Sequence, residues 1–334
     1  MVCGMSSSNA SKLPLQNGVS ASKVGIPANT HLSAIEFLIQ RFPAIQRDVW
    51  LQRFEAGHIL NAQGQSIAPA HGLLGESHLQ YFRQVVDEPS LPFKAQIIFQ
   101  DDYLVVADKP HFMPVTPGGK YVQQSLLVQL KQQLNLSELS PVHRIDRETA
   151  GLVVFSVRAQ DRNAYQELFR LRQIEKTYEA IAGVPASSPL KPEFPLTYKS
   201  MMVQDAQFFR MRELPVAECV LPDSFNSETW IDCIERLDPG NSSTRTGSTP
   251  TPGWARYELK PLTGQRHQLR VHMNALGLPL VGDQFYPVVK RGAEETDDFQ
   301  SPLQLLAKKL TFKDPLTGVP RSFESRQQLA LSDS

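Results

Sequence analysis

The sequence predicts an α+β fold, with its main domain built on a mainly antiparallel mixed sheet and a small helix-hairpin module in front of it. Three observations lead there. Strand-type runs are short and several, at residues 97–99, 104–107, 152–155, 176–183 and 254–259. Helical patterns fall between them without regular βαβ alternation, which disfavours a parallel sheet. The 334 residues suit two domains, and the proline-bounded stretch 89–92 is a natural linker.

Residues 1–29 are rich in Ser, Asn and Lys and lack apolar periodicity, so they read as a disordered leader. The small module spans 30–90. Ser33 followed by Glu36 is a capping-box pattern ahead of Phe37, Leu38 and Ile39, and Pro43 closes that helix. A second helix is expected over 46–56, with Trp50 and Phe54 one turn apart and Gly57 as its stop. Residues 59–60 and 66–67 around the turn 61–64 read as a hairpin.

The second domain is placed at 95–328. Residues 97–99 and 104–107 form a hairpin that ends in Asp108-Lys109-Pro110. A helical apolar pattern covers 125–134, the run 152–155 is a strand, and 160–172 is a helix with Ala164, Leu168 and Leu171 on one face. Residues 176–183 alternate as a strand. The stretch 185–254 is the least readable, and 240–253 is a low-complexity loop. A strand at 254–259, a helix at 267–276, an apolar element at 303–312 and a turn at 314–318 complete the chain.

Composition narrows the class. Hydrophobic content of 41% and charged content of 20% are ordinary for a globular protein. No apolar run approaches the 18 residues of a membrane span, and residues 1–29 lack the apolar core of a secretory signal, so a cytoplasmic protein without membrane contact is expected. Cys3, Cys219 and Cys233 form no C-x-x-C pair, which argues against a disulfide framework or a cysteine zinc site. His267 and His272 have no supporting carboxylates, so no metal is expected. Net charge is zero, but residues 255–281 hold four basic residues against one acidic, which leaves room for a locally basic cleft.

One charge cluster stands out. His143, Arg144, Asp146, Arg147 and Glu148 crowd the entry to an apolar strand. Alone it reads as a solvated turn. Two further segments, 176–180 and 266–272, can complete a site with a phenol and guanidinium groups. A carboxylate at a strand end is costly to ionise without a cation beside it, and arginine is the cation that keeps its charge. Such an Asp can serve as nucleophile or base, and a tyrosine ring can stack on a base. No G-x-S-x-G elbow, P-loop or G-x-G-x-x-G appears, and no second catalytic carboxylate is evident. The residues alone reach as far as an Asp-dependent enzyme without a metal, acting on nucleic acid.

His143-Arg144-Ile145-Asp146-Arg147-Glu148-Thr149-Ala150-Gly151-Leu152 resembles the signature of the RluA family of RNA pseudouridine synthases. Four more segments resemble that family in the same order: Asp102 to Pro110 with its terminal Lys-Pro, Lys176-Thr177-Tyr178-Glu179-Ala180, Leu262 to His272, and Leu276 to Asp283. The resemblance covers roughly residues 95–325. The two helices and hairpin of the first module resemble the small alpha-L module, without its dense basic helix, so an RNA-binding and a packing role both stand. Gln265 replaces a frequent Arg, and Leu306-Ala307-Lys308 stands where many members carry a histidine.

The resemblance implies an isomerase that converts uridines of structured RNA to pseudouridine, without cofactor or metal, as a monomer. Ribosomal RNA is the first expectation and transfer RNA the alternative; a catalytically silent RNA-binding factor on the same fold is the competing class. Carried over, Asp146 is the essential carboxylate, Tyr178 stacks on the uracil and helps to remove the C5 proton, and Arg270 pairs with Asp146. Arg144 fills the gap left by the extruded nucleotide and Leu269 packs on the base. His143, Lys176, Arg266 and His267 support substrate binding. Arg147 and Glu148 are expected to be surface residues. A base must leave its stack before a protein carboxylate can reach C1′ or C5, which favours loops and bulges.

Overall fold

The computed structural model describes residues 15–83, 88–184, 192–206, 208–215, 218, 224–237, 253–290, 292 and 297–330. They divide into two compact units, residues 1–89 with 117–137, and residues 90–116 with 138–334.

The first unit starts earlier than its sequence implies. Leu15–Gln16 (β1) and Val19–Ser20 (β2) pair as a hairpin, and Ser22–Gly25 (β3) joins a sheet. Residues 15–29 are therefore not all leader; the rest of the expected leader, 1–14, lies outside the described residues. The helices α1 (Ala34–Arg41) and α2 (Arg47–Glu55) form as patterned. The Glu36 carboxylate accepts from the Ser33 amide at 2.9 Å and its hydroxyl at 2.6 Å, tying off the free end of α1. Trp50 is fully buried, edge-on to Tyr81, and shares a core with Leu38, Phe54, Ile59 and Leu79.

Ile59–Leu60 (β4) bridges Ser66, but its main partner is His78–Tyr81 (β5), which also pairs with β3. Leu126–Leu134 (α3) belongs to this unit rather than to a continuous 95–328 domain. The reason is local: Val122 and Val128 pack on Val19, Lys131 Nζ donates to Ser20 Oγ at 3.0 Å, and the Glu88 carboxylate accepts the amides of Val122, Gln123 and Gln124 at 2.7–2.8 Å.

Among the described residues the second unit holds one large sheet, a small hairpin and two α-helices. Its strands are β6 (Gln96–Gln100), β7 (Leu104–Lys109), β8 (Ser140–Pro141), β9 (Ala150–Ser156), β10 (Glu175–Gly183), β11 (Leu196–Ser200), β12 (Met202–Gln204), β13 (Met211–Glu213), β14 (Ser227–Leu237), β15 (Trp254–Pro261), β16 (Leu305–Lys313) and β17 (Pro320–Glu324). The order β11-β14-β15-β10-β16-β9-β7-β6 carries β17 beside β16 and β8 beside β9, while β12 and β13 pair separately. Only β9 and β16 run parallel; the other pairs among the described strands are antiparallel. The helices are α4 (Arg162–Arg170) and α5 (Gln268–Ala275). The expected 240–253 loop falls outside the described residues except Gly253.

Two glycines are required by close approach. Gly151 has φ +111°, and a Cβ there would lie 2.3 Å from the carbonyl oxygen of Ala307 on the parallel neighbour. Gly282 has φ +75°, and its Cβ would lie 2.2 Å from the oxygen of Pro302. Gly151 follows the loop that holds Asp146, and Gly282 directly precedes Asp283. Each contact is far inside van der Waals distance, so any side chain must push backbone aside.

Candidate active site

Asp146 sits in the loop between β8 and β9, and the loop is tied down on every side. The Thr149 amide donates to the Asp146 carbonyl at 3.2 Å, closing a turn. Lys109, at the end of β7, is fully buried and gives its ammonium to the carbonyls of Pro110 and Arg147 at 2.9 and 3.0 Å. Burial pushes that ammonium down to about 7, against the opposing charges of Glu148 and Asp146. His111 donates through Nδ1 to the Glu148 carbonyl at 2.7 Å. His143 holds the loop to β9: its Nε2 accepts the Val154 amide at 3.1 Å, and its ring stacks on Phe169 at 4.3 Å. A ring nitrogen that accepts must be unprotonated, and burial accordingly pushes His143 down to about 3.

Arg147 and Glu148 are not surface residues. Arg147 Nη1 and Nη2 reach the two oxygens of Asp297 at 2.8 and 2.9 Å, while Nε and Nη2 also hold Glu148. The Asp297 side chain is 2% exposed. The expectation failed because Asp297 lies 150 positions along the chain, where no local pattern announces it.

Arg270 arrives from α5. Its Nε and Nη2 hold Asp283 at 2.8 and 2.7 Å, a bidentate pair whose two side chains are 1% and 0% exposed. Nη1 lies 3.6 Å from Asp146 Oδ2 and has no hydrogen-bond partner although buried. Burial works against the charge, but Asp283 and then Asp146 outweigh it and hold the guanidinium charged. Arg270 is thus clamped on Asp283 and makes a second, longer ion pair with Asp146, as expected. Asp146 itself is about a quarter exposed, not buried. Asp283 also accepts the amides of Phe285 and Tyr286, which orients it independently of the arginine. Its signal was present in Gly282-Asp283, the end of the last motif.

Tyr178 lies on β10 opposite Ala307, where β16 carries one extra residue, Lys308. Bulges of this kind re-aim side chains next to functional sites. Its ring packs partly buried against the cluster that contains Leu269, and burial together with the Asp146 charge raises its phenol above the ordinary value. Lys176 donates to the Thr263 carbonyl at 3.0 Å, joining β10 to the loop before α5. Gln265 donates to the Asn226 carbonyl at 3.3 Å. His267 has φ +56°, is buried, and meets the Tyr286 hydroxyl at 3.1 Å through Nδ1. Arg266 lies with its guanidinium 4.1 Å from the Phe209 ring centroid. Arg144 is exposed two residues before Asp146.

Asp146, Arg270, Tyr178, Leu269 and His267 therefore come together in the second unit. His143 and Lys176 brace backbone. A polar depression of about 370 Å³ lies elsewhere, lined by the outward-facing Thr177, Glu179, Glu258, Lys260 and Lys308. Its ion pairs, such as Lys308–Glu324 at 3.2 Å, are those of a solvated sheet face.

The sequence profile of the RNA pseudouridylate synthase family matches residues 103–275, the span that holds Asp146, Tyr178 and Arg270. The dual-specificity RNA pseudouridine synthase RluA of Haemophilus influenzae is 31% identical over 71% of this chain and 95% of its own. The chain belongs to the RluA family of RNA pseudouridine synthases. As a member it is an isomerase that converts uridine to pseudouridine in RNA. The tRNA pseudouridine synthase C of Vibrio parahaemolyticus is similar to this RluA-family chain at 31% identity, over 68% of it and 87% of the relative. Human RNA pseudouridylate synthase domain containing 1 shares the fold, with a TM-score of 0.54 at 22% identity over 72% of this chain and 86% of its own.

Proposed function

We propose that this isomerase acts on uridines in loops or bulges of ribosomal RNA, with Asp146 as the catalytic carboxylate. The observation that carries the role of Asp146 is the unpartnered Nη1 of Arg270, buried and 3.6 Å from Oδ2. A donor stripped of water and left without a protein acceptor is poised for charge that develops at the carboxylate or on the base it attacks. The N1–C1′ bond breaks, the uracil turns in place, and C5 joins C1′. The C5 proton leaves and N1 gains one, so the change is a net isomerisation.

Tyr178 offers its ring to the uracil from one side and Leu269 an apolar wall from the other. With its phenol held protonated, Tyr178 enters the reaction as a neutral hydroxyl, and a standing phenolate base is disfavoured. Arg144, exposed beside Asp146, is free to occupy the space of the extruded base. Extrusion costs a few kcal/mol and costs least where the RNA is already unstacked.

Transfer RNA is the second reading, favoured by the similarity to a tRNA pseudouridine synthase. Mapping pseudouridine in total RNA from cells with and without the gene decides between them. One or a few uridines in ribosomal RNA should revert to unmodified uridine when the gene is lost. Loss confined to transfer RNA transfers the assignment. Complementation with Asp146→Asn should leave the site unmodified, with activity down about 10²–10⁴-fold. Restored modification would remove Asp146 from the mechanism.

A further inference from the structure

The hairpin of β12 and β13 carries a feature that the uridine chemistry does not use. At its tip Phe209 is 64% exposed, and one face of its ring is covered by the Arg266 guanidinium at 4.1 Å. Among the described residues, Arg266 Nε is buried without a hydrogen-bond partner, and Nη2 meets the weak acceptor Met211 Sδ at 3.7 Å. An exposed cation–π contact is weak, which is little reason to keep a phenyl ring in water.

The hairpin is firmly mounted. Arg210 reaches Asp205 at 2.9 Å and the Phe285 carbonyl at 3.0 Å, and the Tyr286 hydroxyl donates to the Met211 carbonyl at 2.8 Å. It also adjoins the site. Phe208 packs on Phe285 at 5.4 Å, and Phe285 lies 5.0 Å beneath the Arg270 guanidinium that faces Asp146.

We propose that Phe209 and Arg266 form a stacking platform for an unpaired base of the RNA strand, flanking the extruded uridine. The inference deepens the loop-or-bulge reading above and rests on it. Every base has a π face, so an aromatic ring backed by a guanidinium holds single-stranded RNA with little demand on sequence. The unpartnered nitrogen suits an acceptor on the same nucleotide, a phosphate oxygen or a base carbonyl. Of the macromolecules that could use an exposed ring, RNA is the one this enzyme already brings there.

The test uses the full chain and a stem-loop RNA carrying the mapped uridine, with single abasic replacements on either side. Phe209→Ala should raise KM about 5- to 150-fold, the range of one lost base stack, and leave kcat within about twofold. Phe209→Trp should retain wild-type KM. One abasic neighbour should weaken the wild-type enzyme but not Phe209→Ala, because the two changes remove the same contact. Equal sensitivity of both proteins to every abasic position, or an unchanged KM, overturns the platform. If no uridine depends on the gene, the substrate reading fails by itself. The platform is then decided by binding of an RNA nonamer containing 2-aminopurine. Quenching by wild type and not by Phe209→Ala supports it, and equal signals overturn it.

Discussion

The two sides of the site are built alike and end differently. The loop side carries Asp146, an arginine clamped on a buried carboxylate (Arg147 on Asp297), and a neutral imidazole that ties the loop to the sheet (His143 on the Val154 amide). The helix side carries Arg270 clamped on Asp283, and a neutral imidazole, His272, tied to Thr229 and Ser227 at 2.9 and 3.0 Å. In the loop all three guanidinium nitrogens of Arg147 have carboxylate partners. In the helix one nitrogen of Arg270 is withheld from its clamp and faces Asp146. The same residue pair thus serves as a brace on one side and as a held, aimed cation on the other.

The sharpest way to break the symmetry is to remove the brace. Arg147→Ala takes the two-point arginine contact from the buried Asp297 carboxylate, and a broken buried pair costs about 3–5 kcal/mol. Arg147 is itself about a fifth exposed, so a loss near 3 kcal/mol is expected in urea unfolding. The double variant Arg147→Met with Asp297→Leu should recover most of that stability. If the double variant also recovers activity, the brace is stability alone and the loop needs no charge there.

On the other side Arg270→Lys keeps a positive charge but lacks the fork that holds Asp283 and faces Asp146 together. The expected result is a loss of about 10²–10³ in kcat, as for one missing transition-state donor, with KM within a few-fold. A kcat within threefold of wild type would mean that Nη1 is not aimed at anything the reaction needs.

This asymmetry is also where the sequence stopped being legible. Asp146, Tyr178 and Arg270 were readable because each sits in a short motif with its neighbours in register. Asp283 was in view at the end of a motif, but its pairing with Arg270 depends on the Gly282 turn, which the residue string does not display. Asp297 was invisible, since a single acid in a polar stretch resembles a solvated one, and so Arg147 and Glu148 were misread as surface. β12 and β13 are three residues each, too short for an alternation to register. Residues 15–25 passed for leader because the buried apolar residues described there are few and small, Val19, Ala21 and Val24. Helix α3 was recognised as a helix but not as part of the first unit, because its partners Val19 and Ser20 lay in that misread stretch.

The smallest effect separates the two imidazoles. His272 has no exposed surface, and burial pushes it down to about 4 from an ordinary value near 6.5. The unfolded chain takes up a proton that the folded chain refuses, so the contribution is complete above about pH 6.5 and is lost as pH falls toward 4. The slope in that window is at most 1.36 kcal/mol per pH unit, which makes about 2 kcal/mol between pH 7 and pH 5. His143 is pushed further, to about 3, but the residue is only partly buried where His272 has no exposed surface, and solvent screening makes its share the smaller. His272→Gln should therefore be less stable than wild type at pH 7 yet lose less on going to pH 5, with the two unfolding curves converging. The same substitution at His143 should flatten the pH dependence less. Equal flattening at both positions would show that the loop is as deeply held as the helix, and would leave the nitrogen that Arg270 turns toward Asp146 as the difference that matters to the chemistry.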